Sequence, residues 1–167
     1  MFAQNSYCFY FLTYYTKYFP YDVYQLLNLQ FYVEVITYFG LFYLVYKLGM
    51  IPVNQYMYIF CVAACFVLVF IDIETYELIL VISVLTVRGA VSCSFLISYM
   101  LIPYYFLPVQ RTTAFGLTNI VSRGITLFPS LVAEIPDPWP MTICLIVSLI
   151  GLGGSTLLIR KGLKKVD

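Results

Sequence analysis

The chain is dominated by long apolar runs, separated by short stretches that carry most of its prolines and charges. A helix needs about 20 apolar residues to cross the hydrocarbon of a bilayer, and the runs are close to that length. They lack the two-residue alternation that is typical of β-strands. The composition agrees, because 62% of the residues are hydrophobic, 10% are charged and the mean hydropathy is +0.91. The sequence therefore predicts an all-α, polytopic membrane protein.

Turn-forming residues divide the apolar runs into six predicted transmembrane helices. The predicted helices lie near residues 2–19, 22–46, 54–71, 76–102, 111–133 and 139–160. The first is the least regular, because Lys17 and several threonines interrupt it. We expect the six to form a single membrane domain over residues 1–167, which ends in a basic cytosolic tail at residues 161–167.

The basic residues are distributed unevenly between the predicted loops. If the first helix starts in the cytosol, six of them face the cytosol and only Lys17 faces the opposite side. The six are Lys47, Arg111, Arg160, Lys161, Lys164 and Lys165. Because cytosolic loops carry the excess of lysine and arginine, this asymmetry predicts that both termini are cytosolic.

Three charged residues, Glu34, Arg88 and Arg123, fall inside predicted helices. An ionisable side chain in hydrocarbon costs roughly 3 kcal/mol by insertion scales, so such residues face a bundle interior or a watery cavity. We expect all three to face inward and at least one acid–base pair to form among them. Two interpretations remain open: these residues line a substrate pathway, or they form interior ion pairs that only order the bundle.

The surroundings of Arg123 favour the first interpretation. Polar or small residues recur every three or four positions along the fifth predicted helix, and this spacing places them on one face. They are Thr112, Gly116, Asn119, Arg123, Thr126 and Ser130. The sequence therefore predicts a polar stripe along this helix and a polar cavity beside it.

No catalytic constellation is visible in the sequence. The chain has no histidine, no glycine-rich loop that follows a strand and no paired carboxylates on one predicted helix face. Its five cysteines lie in apolar runs without metal-ligand spacing and are most simply free thiols. We expect a protein that is not an enzyme and that needs no cofactor, metal or nucleic acid.

The segment RTTAFGLTNIVSRGITLFPS resembles the penultimate helix of the major facilitator superfamily, in the branch of organic cation and organic anion transporters. The family pattern of R, G, N, R and P is matched by Arg111, Gly116, Asn119, Arg123 and Pro129. Upstream, TVRGAVSCSFLISYMLIPYYFLPVQR is similar to the tenth helix and the loop after it, and YKLGMIPVN lies where the family has a cytosolic turn. The likeness covers roughly residues 20–160 and implies that the six helices are the carboxy-terminal half of a twelve-helix transporter.

The resemblance implies a function for particular residues. Together with the polar stripe and the charges inside the predicted helices, it gives a candidate substrate pathway that consists of Arg123, Asn119, Gly116, Thr126, Arg88 and Glu34. The implied cytosolic gating turns contain Arg111 and Pro108 in one, and Lys47 and Gly49 in the other. In this branch an arginine at the position of Arg123 is associated with anionic substrates, and a guanidinium can hold a carboxylate through two parallel hydrogen bonds.

Because such transporters hold their substrate between two halves, the chain is expected to need an amino-terminal half or another partner. An organic anion or zwitterion is the expected substrate. The resemblance suggests the plasma membrane, and an organelle membrane is the alternative. The gating turns depart from the family pattern, with Met50 in place of arginine and Tyr46 in place of aspartate. A transporter-derived structural subunit without transport activity is therefore the alternative function.

Overall fold

In a computed structural model of the chain, the described residues are 1–18, 22–70, 77–136 and 139–163. These ranges contain helices and turns and no β-strand, as predicted. The helices are α1 (Phe2–Tyr15), α2 (Val23–Leu48), α3 (Met50–Phe70), α4 (Glu77–Tyr105), α5 (Pro108–Ile125), α6 (Phe128–Val132) and α7 (Trp139–Leu163), and a short 3-10 turn at Thr16–Tyr18 follows α1.

Four of the described helices are long and apolar enough to cross a membrane: α2, α3, most of α4 and the first 19 residues of α7. The chain is therefore compatible with an integral membrane protein. Helix α1, with 14 residues, is shorter than the span of about 20 residues that the hydrocarbon requires. Helix α5 has 18 residues but carries Arg111, Arg123 and several other polar side chains, so it does not qualify by composition.

The fifth helix was predicted to be continuous over residues 111–133, and this prediction is wrong. Helix α5 begins at Pro108 and ends at Ile125, and the short α6 follows after a turn at Thr126 and Leu127. Pro129 accounts for the break, because its ring lacks an N–H and clashes with the carbonyl of the residue four positions earlier. Ser130 of the predicted stripe therefore lies in α6, outside α5.

The remaining boundaries differ from the predictions by a few residues. Helix α3 begins four residues early, because Pro52 lies in the first turn, where its missing N–H is not needed. The α2–α3 connection is the single residue Gly49, whose φ of 85° favours glycine. Helix α4 continues through Pro103. Residues 161–163 of the predicted tail are helical, and the rest of that tail lies outside the described residues.

Helix α1 lies at the centre of the bundle and contacts α4, α5, α6 and α7. Its polar side chains Gln4, Asn5 and Ser6 are all buried. The Tyr58 hydroxyl on α3 donates to Asn5 Oδ1 at 2.9 Å, and Asn5 Nδ2 donates to Ser98 Oγ on α4 at 3.2 Å. These polar contacts tie three helices together where lipid offers no competing water.

Two helices are much less buried than the rest. Of the α2 residues, all of which the structure describes, three are buried: Leu26, Gln30 and Leu41. Within the fully described α5, Ser122 alone is buried, and its hydroxyl bonds to that of Ser6 on α1. The interior of the bundle is formed mainly by α1, α3, α4 and α7, with α2 and α5 at its edges.

Candidate functional site

A cavity of about 240 Å³ lies between α1, α2, α4 and α5. Its wall combines aromatic rings with hydroxyl, amide and guanidinium groups. The lining residues are Ser6, Phe9, Tyr10, Tyr38, Ser92, Phe95, Tyr99, Asn119, Ser122, Arg123 and Thr126. A cavity of this kind, mostly apolar with a few placed polar groups, is the usual form of a small-molecule site.

Arg123 is the charged group of this cavity. It lies in the last turn of α5 with an exposed side chain, and its Nη1 donates to the Tyr10 hydroxyl at 3.2 Å. No other hydrogen bond of this guanidinium occurs among the residues that the structure describes. A guanidinium has five N–H donors, so most of them are free to bind an anion. Of the described side chains around the cavity, Arg123 alone carries a permanent charge.

The predicted stripe contributes three residues to the wall: Asn119, Arg123 and Thr126. Asn119 Oδ1 accepts a hydrogen bond from the Tyr99 hydroxyl at 3.3 Å, so it links α5 to α4. Thr126 caps α5, and its hydroxyl donates to the Arg123 carbonyl at 2.7 Å. The other three stripe residues, Thr112, Gly116 and Ser130, are exposed and lie outside the wall. Gly116 therefore does not line this cavity.

The aromatic part of the wall was not predicted from the sequence. Phe9 and Tyr10 come from α1, Tyr38 from α2, and Phe95 and Tyr99 from α4. The Phe95 and Tyr99 rings lie 5.1 Å apart between centroids, and those of Phe9 and Tyr10 lie 5.6 Å apart edge to face. Aromatic residues are so frequent in this chain that their positions on three separate helices gave no signal in the sequence.

Glu34 and Arg88 form the acid–base pair that the sequence predicted. Arg88 Nε donates to Glu34 Oε1 at 2.8 Å, and the side chains are 11% and 15% exposed. The Ser92 hydroxyl donates to the same carboxylate oxygen at 2.7 Å. Arg88 Nη1 also donates to the Phe9 carbonyl and to Thr13 Oγ1, so the pair connects α4 with both α1 and α2.

This pair lies behind the cavity wall. Neither Glu34 nor Arg88 is among the lining residues, but each contacts one of them. The Arg88 guanidinium lies 3.6 Å from the centroid of the Phe9 ring, and Glu34 accepts from Ser92. The structure therefore brings Arg123, Asn119 and Thr126 together at the cavity and keeps Glu34 and Arg88 one side chain away from it.

A larger cavity of about 550 Å³ lies on the other face of α2 and α4, against α3. Its described lining has no charged side chain, and its two hydroxyls belong to Thr37 and Thr86. Both hydroxyls already donate to carbonyls of their own helices. This groove has no free donor for an ion, so the smaller cavity is the candidate site.

The residues of the predicted gating turns lie at helix ends. Pro108 is the first residue of α5, and Arg111 Nε donates to the Phe106 carbonyl at 3.1 Å. Lys47 lies in the last turn of α2, 4.7 Å from the centroid of the Tyr43 ring. Gly49 forms the α2–α3 connection.

A second ion pair joins Lys17 to Glu134, in the turn after α6. Lys17 Nζ lies 2.5 Å from Glu134 Oε1, and the Tyr18 hydroxyl donates to Glu134 Oε2 at 2.8 Å. The hydrogen bonds from Lys17 and Tyr18 lower the pKa of the Glu134 carboxyl, and the bond to Glu134 raises the pKa of Lys17. Both side chains are at least half exposed, so this pair is a surface contact.

No protein-family model matches the chain, and no curated protein matches it either.

Proposed function

We propose that the chain is one half of a secondary transporter for organic ions, and that an organic anion is its substrate. The observation that carries this proposal is the cavity in which Arg123 is the one charged side chain among the described lining residues. A cation that lines a cavity among apolar helices marks a pathway for charged solutes more often than a packing contact.

The chemistry of the wall favours an anion with an aromatic or apolar body. The free donors of Arg123 can hold a carboxylate bidentately, and the rings of Phe95, Tyr99 and Phe9 can cover an apolar group. A zwitterion would need an acidic partner for its cationic group. Glu34 was the candidate for that role, and its pairing with Arg88 favours the simple anion.

The exposure of α5 supports a half-transporter that works with a second half. In an alternating-access transporter the substrate lies between two bundles of helices, so the faces that line it are open in either bundle alone. Thr112, Gly116 and Ser130 are exposed, and a second bundle would cover them. In this proposal α1 and the α5–α6 segment also cross the membrane, which gives six crossings, cytosolic termini and the organisation of a major facilitator half.

The alternative is a structural subunit of a membrane assembly without transport activity. The exposed face of α5 favours this alternative as well, because an unrelated subunit could cover it. The two functions differ in what they require of Arg123. A transporter needs the planar guanidinium fork, whereas a structural contact needs only a positive charge or a packed side chain.

The test is uptake of radiolabelled benzoate into vesicles that contain the chain in its native membrane. We expect saturable uptake, and we expect Arg123→Lys to reduce the affinity about tenfold, because lysine keeps the charge but loses the bidentate geometry. Lys17→Arg is the control, since Lys17 lies outside the cavity wall and pairs with Glu134 at the surface. Unchanged benzoate handling in Arg123→Lys, or altered abundance of the assembly without any uptake, would favour the structural subunit.

A further inference from the structure

We propose that Glu34 sets the charge of the anion that the cavity accepts, because it neutralises Arg88 directly behind the cavity wall. This inference rests on the proposed function. It assigns Glu34 and Arg88 a role in specificity, without contact with the substrate. With the pair intact, Arg123 alone provides an uncompensated charge, and the site selects monoanions.

The Glu34–Arg88 pair lies close to the cavity wall. Arg88 donates to the Phe9 carbonyl at 3.0 Å and lies against the Phe9 ring, while Glu34 accepts from Ser92 at 2.7 Å. Phe9 and Ser92 both line the cavity. A single layer of side chains therefore separates the pair from a bound ligand. In surroundings of low polarity, charges at such a separation interact more strongly than they do in water.

The charges around the cavity determine which ligand charge it can accept. The groups that face Glu34 are Arg88 and Ser92 on α4, with Tyr38 on its own helix and Cys93 on α4 close enough to interact electrostatically. Arg88 is the permanent charge among these. The Glu34–Arg88 pair sums to zero, so the described surroundings of the cavity carry the single charge of Arg123.

Removing one charge of the Glu34–Arg88 pair would change the net charge behind the cavity wall. Glu34→Gln keeps the size of the side chain and an amide oxygen that can accept from Arg88, but it removes the negative charge. Arg88 then adds a second positive charge behind the wall. A second carboxylate on a ligand, which in the native cavity is desolvated without a countercharge, gains a partner.

The experiment compares benzoate with terephthalate, which has the same ring and a second carboxylate. Their affinities are measured by ligand-observed NMR on vesicles that contain the chain in its native membrane, where a partner half is present, with vesicles that lack the chain as the blank. We expect the native chain to prefer benzoate, and we expect Glu34→Gln to shift the affinity ratio about tenfold toward terephthalate. Arg88→Gln leaves the negative charge of Glu34 uncompensated and should shift the ratio in the opposite direction.

Two further variants keep the test decisive. The double variant Glu34→Gln/Arg88→Gln has the same net charge as the native pair, so its ratio should return toward the native value even if a single variant folds poorly. Glu134→Gln removes an exposed carboxylate that lies outside the cavity wall and should leave the ratio unchanged. Folding is checked by size-exclusion chromatography and thermal unfolding.

The outcomes separate this inference from the proposed function. If the native chain binds benzoate and the ratio is the same in all Glu34 and Arg88 variants that fold, the charge-setting role is wrong and the proposed function stands. If the native chain binds neither acid, the proposed function fails and the inference fails with it. Opposite shifts in the two single variants, together with recovery in the double variant, would support the role.

Discussion

Arg88 and Arg123 have similar settings in the sequence, but the fold gives them opposite environments. Arg88 is nearly buried and donates to Glu34, to the Phe9 carbonyl and to Thr13. Arg123 is exposed at the cavity, where among the described residues it bonds to Tyr10. The comparison teaches that a charge inside an apolar segment does not by itself indicate a ligand site. The number of donors that remain free distinguishes the two roles.

The physical reason lies in the cost of burial. A buried guanidinium must find a carboxylate and further acceptors, because an uncompensated charge costs several kcal/mol in the interior. Arg88 has these partners, and three of its five N–H donors bond to Glu34, the Phe9 carbonyl and Thr13. Arg123 keeps its charge beside an open cavity, where water can solvate it until an anion binds.

The largest expected difference between the two arginines is in stability. Arg88→Met leaves the carboxylate of Glu34 without its countercharge and should destabilise the bundle by about 3 kcal/mol or more. Arg123→Met removes an exposed side chain with one hydrogen bond and should change the free energy of unfolding by about 1 kcal/mol or less. Thermal unfolding of both variants in the same detergent measures the difference. Equal destabilisation by the two substitutions would break the comparison.

The sequence was sufficient to predict part of this contrast. An acid and a base in apolar helices must pair or face water, so the existence of a pair among Glu34, Arg88 and Arg123 followed from electrostatics alone. Which arginine pairs with Glu34 depends on how α2 packs relative to α4 and α5, and no local pattern contains that information. The aromatic wall could not be predicted for the same reason, since its residues come from three helices.

The positions of most helices could likewise be predicted from the sequence, but the way the helices pack could not. Apolar length and period located α2, α3, α4 and α7 within a few residues, because these helices meet the requirements of the bilayer by themselves. The central position of α1 was not predicted. Lys17 and several threonines made it the least regular segment of the sequence, and the burial of its polar residue Asn5 was not predicted.

The second expected effect concerns Lys17 and Glu134, which form an exposed ion pair. It tests whether this exposed contact is weaker than the buried contact between Glu34 and Arg88. The pKa of Glu134 is lowered below its ordinary value of 4.5, so the contact is present above that pH and is lost as the pH falls through the lowered pKa. The pKa of Lys17 is raised above 10.5, so the contact is also lost in strong alkali. Between these limits the pair should hold α6 against the end of α1.

Hydrogen exchange in α6 measures this effect. At pH 7 the native chain should be better protected there than Glu134→Gln, and the difference should disappear once the pH has fallen through the lowered pKa of Glu134 and its carboxyl is protonated. The temperature of unfolding should hardly differ, because exposed ion pairs add little to stability. A difference in exchange that stays constant over the whole acid range, without following the titration of Glu134, would show that the charge of Glu134 is not its cause.

The smallest expected effect concerns Tyr10, the hydrogen-bond partner of Arg123. Tyr10→Phe removes the hydroxyl that holds Nη1 at 3.2 Å and leaves the ring in the wall. If Arg123 is available to a ligand, its freed donor can turn to the anion, and the affinity for benzoate should stay within about fivefold of the native value, since a net contribution of about 1 kcal/mol from the lost hydrogen bond corresponds to about that factor. Thr13→Val is the matched change at Arg88, where Thr13 Oγ1 accepts at 2.8 Å. Because Arg88 is buried, that loss leaves a donor unsatisfied and should lower the unfolding temperature, whereas Tyr10→Phe should not. A larger loss of stability in Tyr10→Phe than in Thr13→Val would mean that Arg123 is a structural arginine like Arg88, and it would remove the basis for a substrate role.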